Sequence, residues 1–255
     1  VYKLEIYRKT METKYGITKA APSLPTIDLL RVPHKQEDLI VSYPAFGPNT
    51  YKNNIEQMSK NYSHSKELSK ITFKPATTSE SISAAAYDFE NLAKPQIFNP
   101  RWLQLNYIVR TQEGVFANTS ETNEKVLKSL LDKCTKINNI YLGENDFGFA
   151  PYSSFKTGVQ DCDTFCESGL ARVLEHTNEK VAENLRTIAS PKFYKRGVNV
   201  WGFDKVKEPL LRFAGLCSNR GFDDGRLGVD GYWDDNGGYA FGVLGKTGEA
   251  SRTEN

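Results

Sequence analysis

The stretch CSNRGFDDGRLGVDGYWDDNGGYAFG, Cys217 to Gly242, decides the fold class. Fourteen of its twenty-six residues are Gly, Asp or Asn, yet apolar residues recur inside it at strand spacing. Arg226-Leu227-Gly228-Val229-Asp230 and Tyr239-Ala240-Phe241-Gly242-Val243 each alternate, the period-two pattern of a strand with one buried face. Leu227, Val229, Phe241 and Val243 are therefore expected as core anchors. The Asp-Gly, Asp-Asp-Asn and Gly-Gly runs between them favour turns, because glycine tolerates positive φ and Asn or Asp side chains bond nearby backbone. The stretch reads as a recognition surface hung on strands.

The same stretch contains no Lys, Glu, Gln or Met, although Lys and Glu are common in the rest of the chain. An AAC or AAT codon whose adenines are randomised can encode every residue type except Lys, Glu, Gln, Met and Trp. The composition is the one such diversification leaves. Trp233 alone falls outside it, and so reads as a fixed scaffold residue.

Upstream, Arg196-Gly197-Val198-Asn199-Val200-Trp201-Gly202-Phe203 is similar to the GNVWEW signature of the formylglycine-generating-enzyme branch of the C-type lectin fold. The order that follows agrees: Leu210-Leu211-Arg212-Phe213-Ala214-Gly215, an Asn219 to Gly238 run rich in Gly, Asp and Asn, then Ala240-Phe241-Gly242-Val243-Leu244, which departs from the closing GFR-V motif by placing Val243 directly after Gly242. Joined to the codon argument, the chain resembles the variable protein of a diversity-generating retroelement. The resemblance covers about the last sixty residues and implies a C-type-lectin-like α+β domain, a twisted antiparallel sheet with two helices. That domain is expected over residues 96–255, with a variable region at about 210–244, preceded by an irregular N-terminal region, 1–95, that attaches, wraps or oligomerises. Trp201 joins the expected anchors.

What the resemblance implies is a binder, not an enzyme. Its contacts would be Asn219, Arg220, Asp223, Asp224, Arg226, Asp230, Tyr232, Trp233, Asp234, Asp235, Asn236 and Tyr239, against a protein or cell-surface ligand, for viral or cell-surface attachment. No cofactor and no metal are expected. The formylglycine-generating enzymes depend on a cysteine pair in this part of the domain, where Cys217 stands alone, and none of the three histidines follows it. A calcium-dependent carbohydrate site on the Asp-rich stretch is the alternative, since hard cations collect carboxylate oxygens, but the aspartate spacing fits no EF-hand and no Glu-Pro-Asn motif is present. A structural virion protein with inert loops is a third reading.

Composition sets the outer bounds. With 39% hydrophobic and 12% aromatic residues in 255, the chain can bury a substantial core. A net charge of +2 with scattered basic residues argues against nucleic acid, which needs a basic stripe. No apolar run reaches the length of a membrane span, and the N-terminal stretch lacks a signal-peptide core. Four cysteines are too few for a disulfide scaffold. Cys162 and Cys166 share a helix face at four-residue spacing, and read as buried free thiols.

Elsewhere, short helices are expected over 54–60 and 80–92, and prolines at 22, 25, 33, 44 and 48 are expected to break longer elements. Strands are expected from Trp102 to Val109 and over 115–117, joined by a Gln112-Glu113-Gly114 turn. A helix is expected over 123–131 after a capping Thr122, a hairpin at 140–149, and helices over 158–176 and 179–189.

Overall fold

The computed structural model describes residues 27–60, 62–64, 67–99, 101–219, 225–233 and 237–244. The chain runs through the hairpin of β1 (Asp28–His34) and β2 (Glu37–Tyr43), then β3 (Phe46–Asn49), α1 (Tyr51–Met58), a second hairpin of β4 (Tyr62–His64) and β5 (Glu67–Ile71), β6 (Phe73–Pro75), α2 (Thr78–Tyr87) and a π-helical segment, Phe89–Phe98. There follow β7 (Trp102–Arg110), β8 (Gly114–Ala117), α3 (Glu124–Leu131), β9 (Thr135–Ile137), β10 (Ile140–Leu142), β11 (Gly148–Pro151), β12 (Gly158–Gln160), α4 (Cys162–Cys166), α5 (Gly169–Glu175) and α6 (Glu183–Ala189). The last part comprises β13 (Val198–Trp201), β14 (Leu210–Asn219), β15 (Arg226–Trp233), β16 (Gly238–Ala240) and β17 (Gly242–Leu244). The class is α+β, as the sequence implied. No described helix is long and apolar enough to cross a membrane.

Two sheets organise the molecule. The larger has the path β12-β13-β15-β14-β7-β8-β11-β10-β9, with β16 added beside β7 and β3 beyond it. Its pairs are antiparallel except β13 with β15 and β16 with β7. The smaller has the order β1-β2-β17-β6. One apolar core, containing Val41, Leu103, Leu216, Leu227 and Val243, runs beneath both.

Between residues 27 and 95 the described chain is therefore built of regular elements, not irregular as expected, and it pairs with strands from beyond residue 237. β17, close to the end of the described chain, lies between β2 and β6, and β16 pairs with β3. Of the prolines expected to break elements, Pro33 on β1 and Pro48 on β3 sit on strands at a sheet edge, where a missing N–H is tolerated, and Pro44 falls between β2 and β3. Pro22 and Pro25 lie outside the described residues.

Local capping explains most shifted boundaries. The expected 158–176 helix divides because β12 pairs with β13 and two side chains start new helices. Asp161 accepts from the Thr164 amide at 2.8 Å, and Ser168 from the Ala171 amide at 3.2 Å. α3 is capped by Asn123, which accepts from the Lys125 amide, instead of by Thr122. α2 begins with a full capping box between Thr77 and Glu80. α6 begins four residues later than expected, and Glu175, from the preceding helix, accepts the Asn184 and Leu185 amides at 3.1 and 3.0 Å. Strand expectations fared better: β7 pairs with β8, and β10 with β11, as the turn residues indicated.

Candidate functional site

The β14–β15 hairpin carries most of the residues proposed for contact. Its register runs from Asn219 opposite Arg226 to Phe213 opposite Trp233, with a bulge between Phe213 and Gly215. Leu227 and Val229 are fully buried, and Gly228 and Gly231 are buried beside them. A Cβ on Gly231 would lie 2.8 Å from two ring atoms of Phe203, so this glycine serves close packing and not a turn. Phe241 and Val243 are 5% and 4% exposed. Four of the five expected anchors are thus in the core. Trp201 is not: it ends β13 opposite Asp230 and is 44% exposed.

The contact residues separate into distinct positions. Arg220, Asp223, Asp224, Asp234, Asp235 and Asn236 lie outside the described residues. Asn219, Tyr232 and Trp233 are strand residues by their backbone. Arg226 opens β15 partly exposed, its Nε donating to the Arg196 carbonyl at 3.1 Å. The Arg196 amide in turn donates to Gly225, and the Leu227 amide to Gly197, each at 3.0 Å, so the 194–197 turn clamps the start of the strand.

Two contact assignments are corrected. Asp230 is 1% exposed, enclosed in the sheet between β13 and β14, and cannot touch an external ligand. Tyr239 is half-buried against the main core and pairs with Leu103 on β7, so it belongs to the framework. The alternating pattern had suggested both as outward positions; consecutive residues 227–231 are all buried, so both faces of β15 are covered, and α1 packs on β16.

The interior of β15 divides the remaining positions into two sets. Arg226 and Trp233 are seven residue steps apart, about 23 Å along an extended strand. Residues 219–226 are at one end and 232–236 follow the other. The chain returns at Gly238, where a Cβ would strike the Trp102 ring at 2.4 Å. There the Asn54 amide nitrogen donates to the Gln104 side-chain oxygen at 2.8 Å and to the Gly238 carbonyl at 3.0 Å, while Gln104 donates to the Asn49 carbonyl at 3.1 Å. Both connections are therefore pinned where they re-enter the sheet.

Nucleophilic and metal chemistry find little support among the described residues. Burial, reinforced by the charge of Asp230, pushes the Cys217 thiol up to about 12, which removes the thiolate a nucleophile needs. Cys162 and Cys166 are buried free thiols with Sγ atoms 3.9 Å apart, as expected. Among the described residues no group of three His, Cys, Asp or Glu side chains could hold a metal ion.

A polar junction that sequence reasoning missed lies at the other side of the chain's organisation. Asp146, in the β10–β11 turn, receives the Lys35 ammonium at 2.7 Å, the Ser79 hydroxyl at 2.7 Å and the Thr77 hydroxyl. Burial works to raise its pKa, but these donors outweigh it and hold the carboxyl at about 2. His176 stands 3.4 Å from the same carboxylate, with its Nε2 3.0 Å from the Gly143 carbonyl. Asn118 donates to the Asp146 carbonyl and accepts from Thr78. Lys35, Asn118, Asn145, Asp146 and His176 all have positive φ, between 51° and 60°. The Asn and Asp residues have a known tolerance for that region; His176 is the left-handed C-cap of α5 and Lys35 stands in the two-residue β1–β2 turn, both ordinary places for it.

No family model, no curated protein and no solved structure matches this chain.

Proposed function

We propose that the protein is a ligand-binding display protein of the diversity-generating-retroelement kind, with a C-type-lectin-like framework and a diversified recognition surface formed by residues 219–226 and 232–236. The observation that carries the reading is a coincidence of two independent patterns. The codon-restricted stretch Cys217–Gly242 is also the stretch in which buried anchors, Leu227, Val229 and Phe241, alternate with polar runs that fall at strand ends. A surface can change its residues freely only if the backbone is fixed by others, which is how antibody loops separate recognition from framework.

The high pKa of the Cys217 thiol and the absence of a second cysteine beyond it count against formylglycine-type chemistry. With Asp230 buried, the calcium alternative loses one of its five carboxylates. Large, stiff or multidentate side chains dominate protein interfaces, so Arg226 and Tyr232 are the contacts of greatest weight in the present sequence, with Trp233, which a randomised codon cannot give, the undiversified member of that surface. The two sets of contacts, about 23 Å apart, call for a macromolecular ligand that spans both.

The test is to sequence the encoding locus. A reverse-transcriptase gene together with a near-repeat of the codons for Leu210 to Leu244, differing only at adenines, is the expected result. A locus with neither would overturn the diversified-binder reading.

A further inference from the structure

A cleft of about 670 Å³ opens beside the Asp146 junction, where the β1–β2 turn, α2, the β9–β10 hairpin, the end of α5 and the start of α6 meet. That is within the size range of small-molecule sites. Its walls include His34, Lys35, Ser83, Glu175, His176 and Asn184, contributed by four separate parts of the chain. These groups are already held in place. Ser83 Oγ is 2.9 Å from His34 Nδ1 and accepts from the Asn184 amide at 3.2 Å. Both oxygens of Glu175 are fixed by backbone amides of α6.

The protonation pattern of His176 follows from its neighbours. A carbonyl only accepts, so the Nε2 atom 3.0 Å from Gly143 carries hydrogen; Nδ1, 3.4 Å from the Lys35 ammonium, is left as an acceptor in the neutral ring. Burial holds both His176 and His34 below the ordinary imidazole value, so neither supplies a charge at neutral pH.

Charge balance then restricts the ligand. The Lys35 ammonium is compensated by Asp146 at 2.7 Å, and the other charged side chains lining the cleft, Glu175 and Glu179, are acidic. An anion would meet no uncompensated cation. Donors and acceptors are both abundant, from imidazole, hydroxyl, amide and carboxylate groups, while Ile137 and Leu142 supply the only aliphatic side chains of the lining. Hydroxyl groups, which donate and accept at once, match that lining best.

We propose that this cleft binds a small, uncharged, polyhydroxylated molecule of mono- or disaccharide size, without a metal ion, through His34, Ser83, Glu175, His176 and Asn184. The site is separate from the β14–β15 surface and stands or falls independently of it.

The test is a titration of the whole protein in EDTA with glucose, galactose, mannose, N-acetylglucosamine, lactose and maltose, followed by NMR of the His34 and His176 imidazoles. At least one sugar is expected to shift both rings saturably. Asn178→Trp and Thr135→Trp place a large ring at exposed positions of the lining, so each is expected to retain the thermal transition and to weaken that sugar at least about tenfold, or 1.4 kcal/mol. Two variants guard against one failing to fold. The proposal is overturned if no sugar gives a saturable shift, if the shifts survive in both occluded variants, or if inorganic phosphate or acetate reproduces them.

Discussion

In the β14–β15 hairpin the residues that fix the backbone are apolar, lie close together along one strand and are buried on both sides of it. At Asp146 they are polar and come from five places: Lys35, the start of α2 at Thr77 and Ser79, Asn118, Asp146 itself and His176. The two regions hold shape by different physics. The hairpin relies on water exclusion and close packing, which is insensitive to pH and to the identity of its exposed residues. The junction relies on a buried carboxylate whose donors must all be present, because a desolvated polar group left unpaired is costly. A region of the first kind can carry a changing surface; one of the second kind cannot.

The largest expected effect sharpens that contrast. Leu227→Ala should cost about 2–5 kcal/mol, the usual range for emptying a fully buried leucine site, with the loss the same at pH 5 and pH 7. Chemical denaturation at the two pH values measures it. A loss that changes with pH would couple the Leu227 packing to the buried carboxyl of Asp230 on the same strand and blur the distinction.

Next in size is Asp146→Ala, expected to cost about 1–3 kcal/mol at pH 7 because Lys35, Thr77 and Ser79 lose their common acceptor. The wild-type protein should itself weaken on acidification. Because His34 and His176 titrate below their ordinary value of 6.5, the unfolded chain takes up protons first, so stability that is complete above pH 6.5 falls as the pH drops through their lowered pKa values. Asp146 adds a second loss, complete stabilisation above pH 3.8 declining through about 2. Glu175, raised by burial, acts in the opposite sense, its contribution fading as the pH rises above 4.5. The difference between wild type and His176→Gln isolates the upper window; identical pH profiles for the two would remove His176 from the junction's electrostatics.

Gly231→Ala is expected to cost about 1–3 kcal/mol, since the Phe203 ring occupies the space a methyl group would need. Trp201→Ala should come last, within about 1 kcal/mol, because the ring is largely at the surface. A loss above 3 kcal/mol in thermal unfolding would return Trp201 to the framework role its sequence motif suggested.

The contrast also accounts for what the sequence made legible. Leu227, Val229, Phe241 and Val243 announce themselves because strand burial leaves a period-two trace in a single short window. Turns at 112–114 and 143–146 were readable from Gly, Asn and Asp for the same local reason. Asp230 was misread because residues 227–231 are buried on both faces of β15, and a strand with both faces covered loses the period-two contrast that marks an outward residue. Trp201 was misread in the opposite direction, an aromatic ring at the end of a strand whose neighbours leave it in water. The pairing of β17 between β2 and β6 joins residues about two hundred positions apart, and the prolines on edge strands disguised the N-terminal half of it. The Asp146 junction left least trace of all, since Lys35, Thr77, Asn118 and His176 acquire meaning only once the chain has brought them together.

The central claim, a fixed framework beneath a replaceable surface, is tested most directly by saturating every codon from Cys217 to Val243 and selecting the library for protease resistance. The account predicts that positions 220–224 and 234–236 accept nearly all residue types, while Leu227, Val229, Asp230, Gly231, Phe241 and Val243 accept few. Equal intolerance in the two sets would contradict it, and would make the Gly- and Asp-rich runs part of the fold and not its changing face.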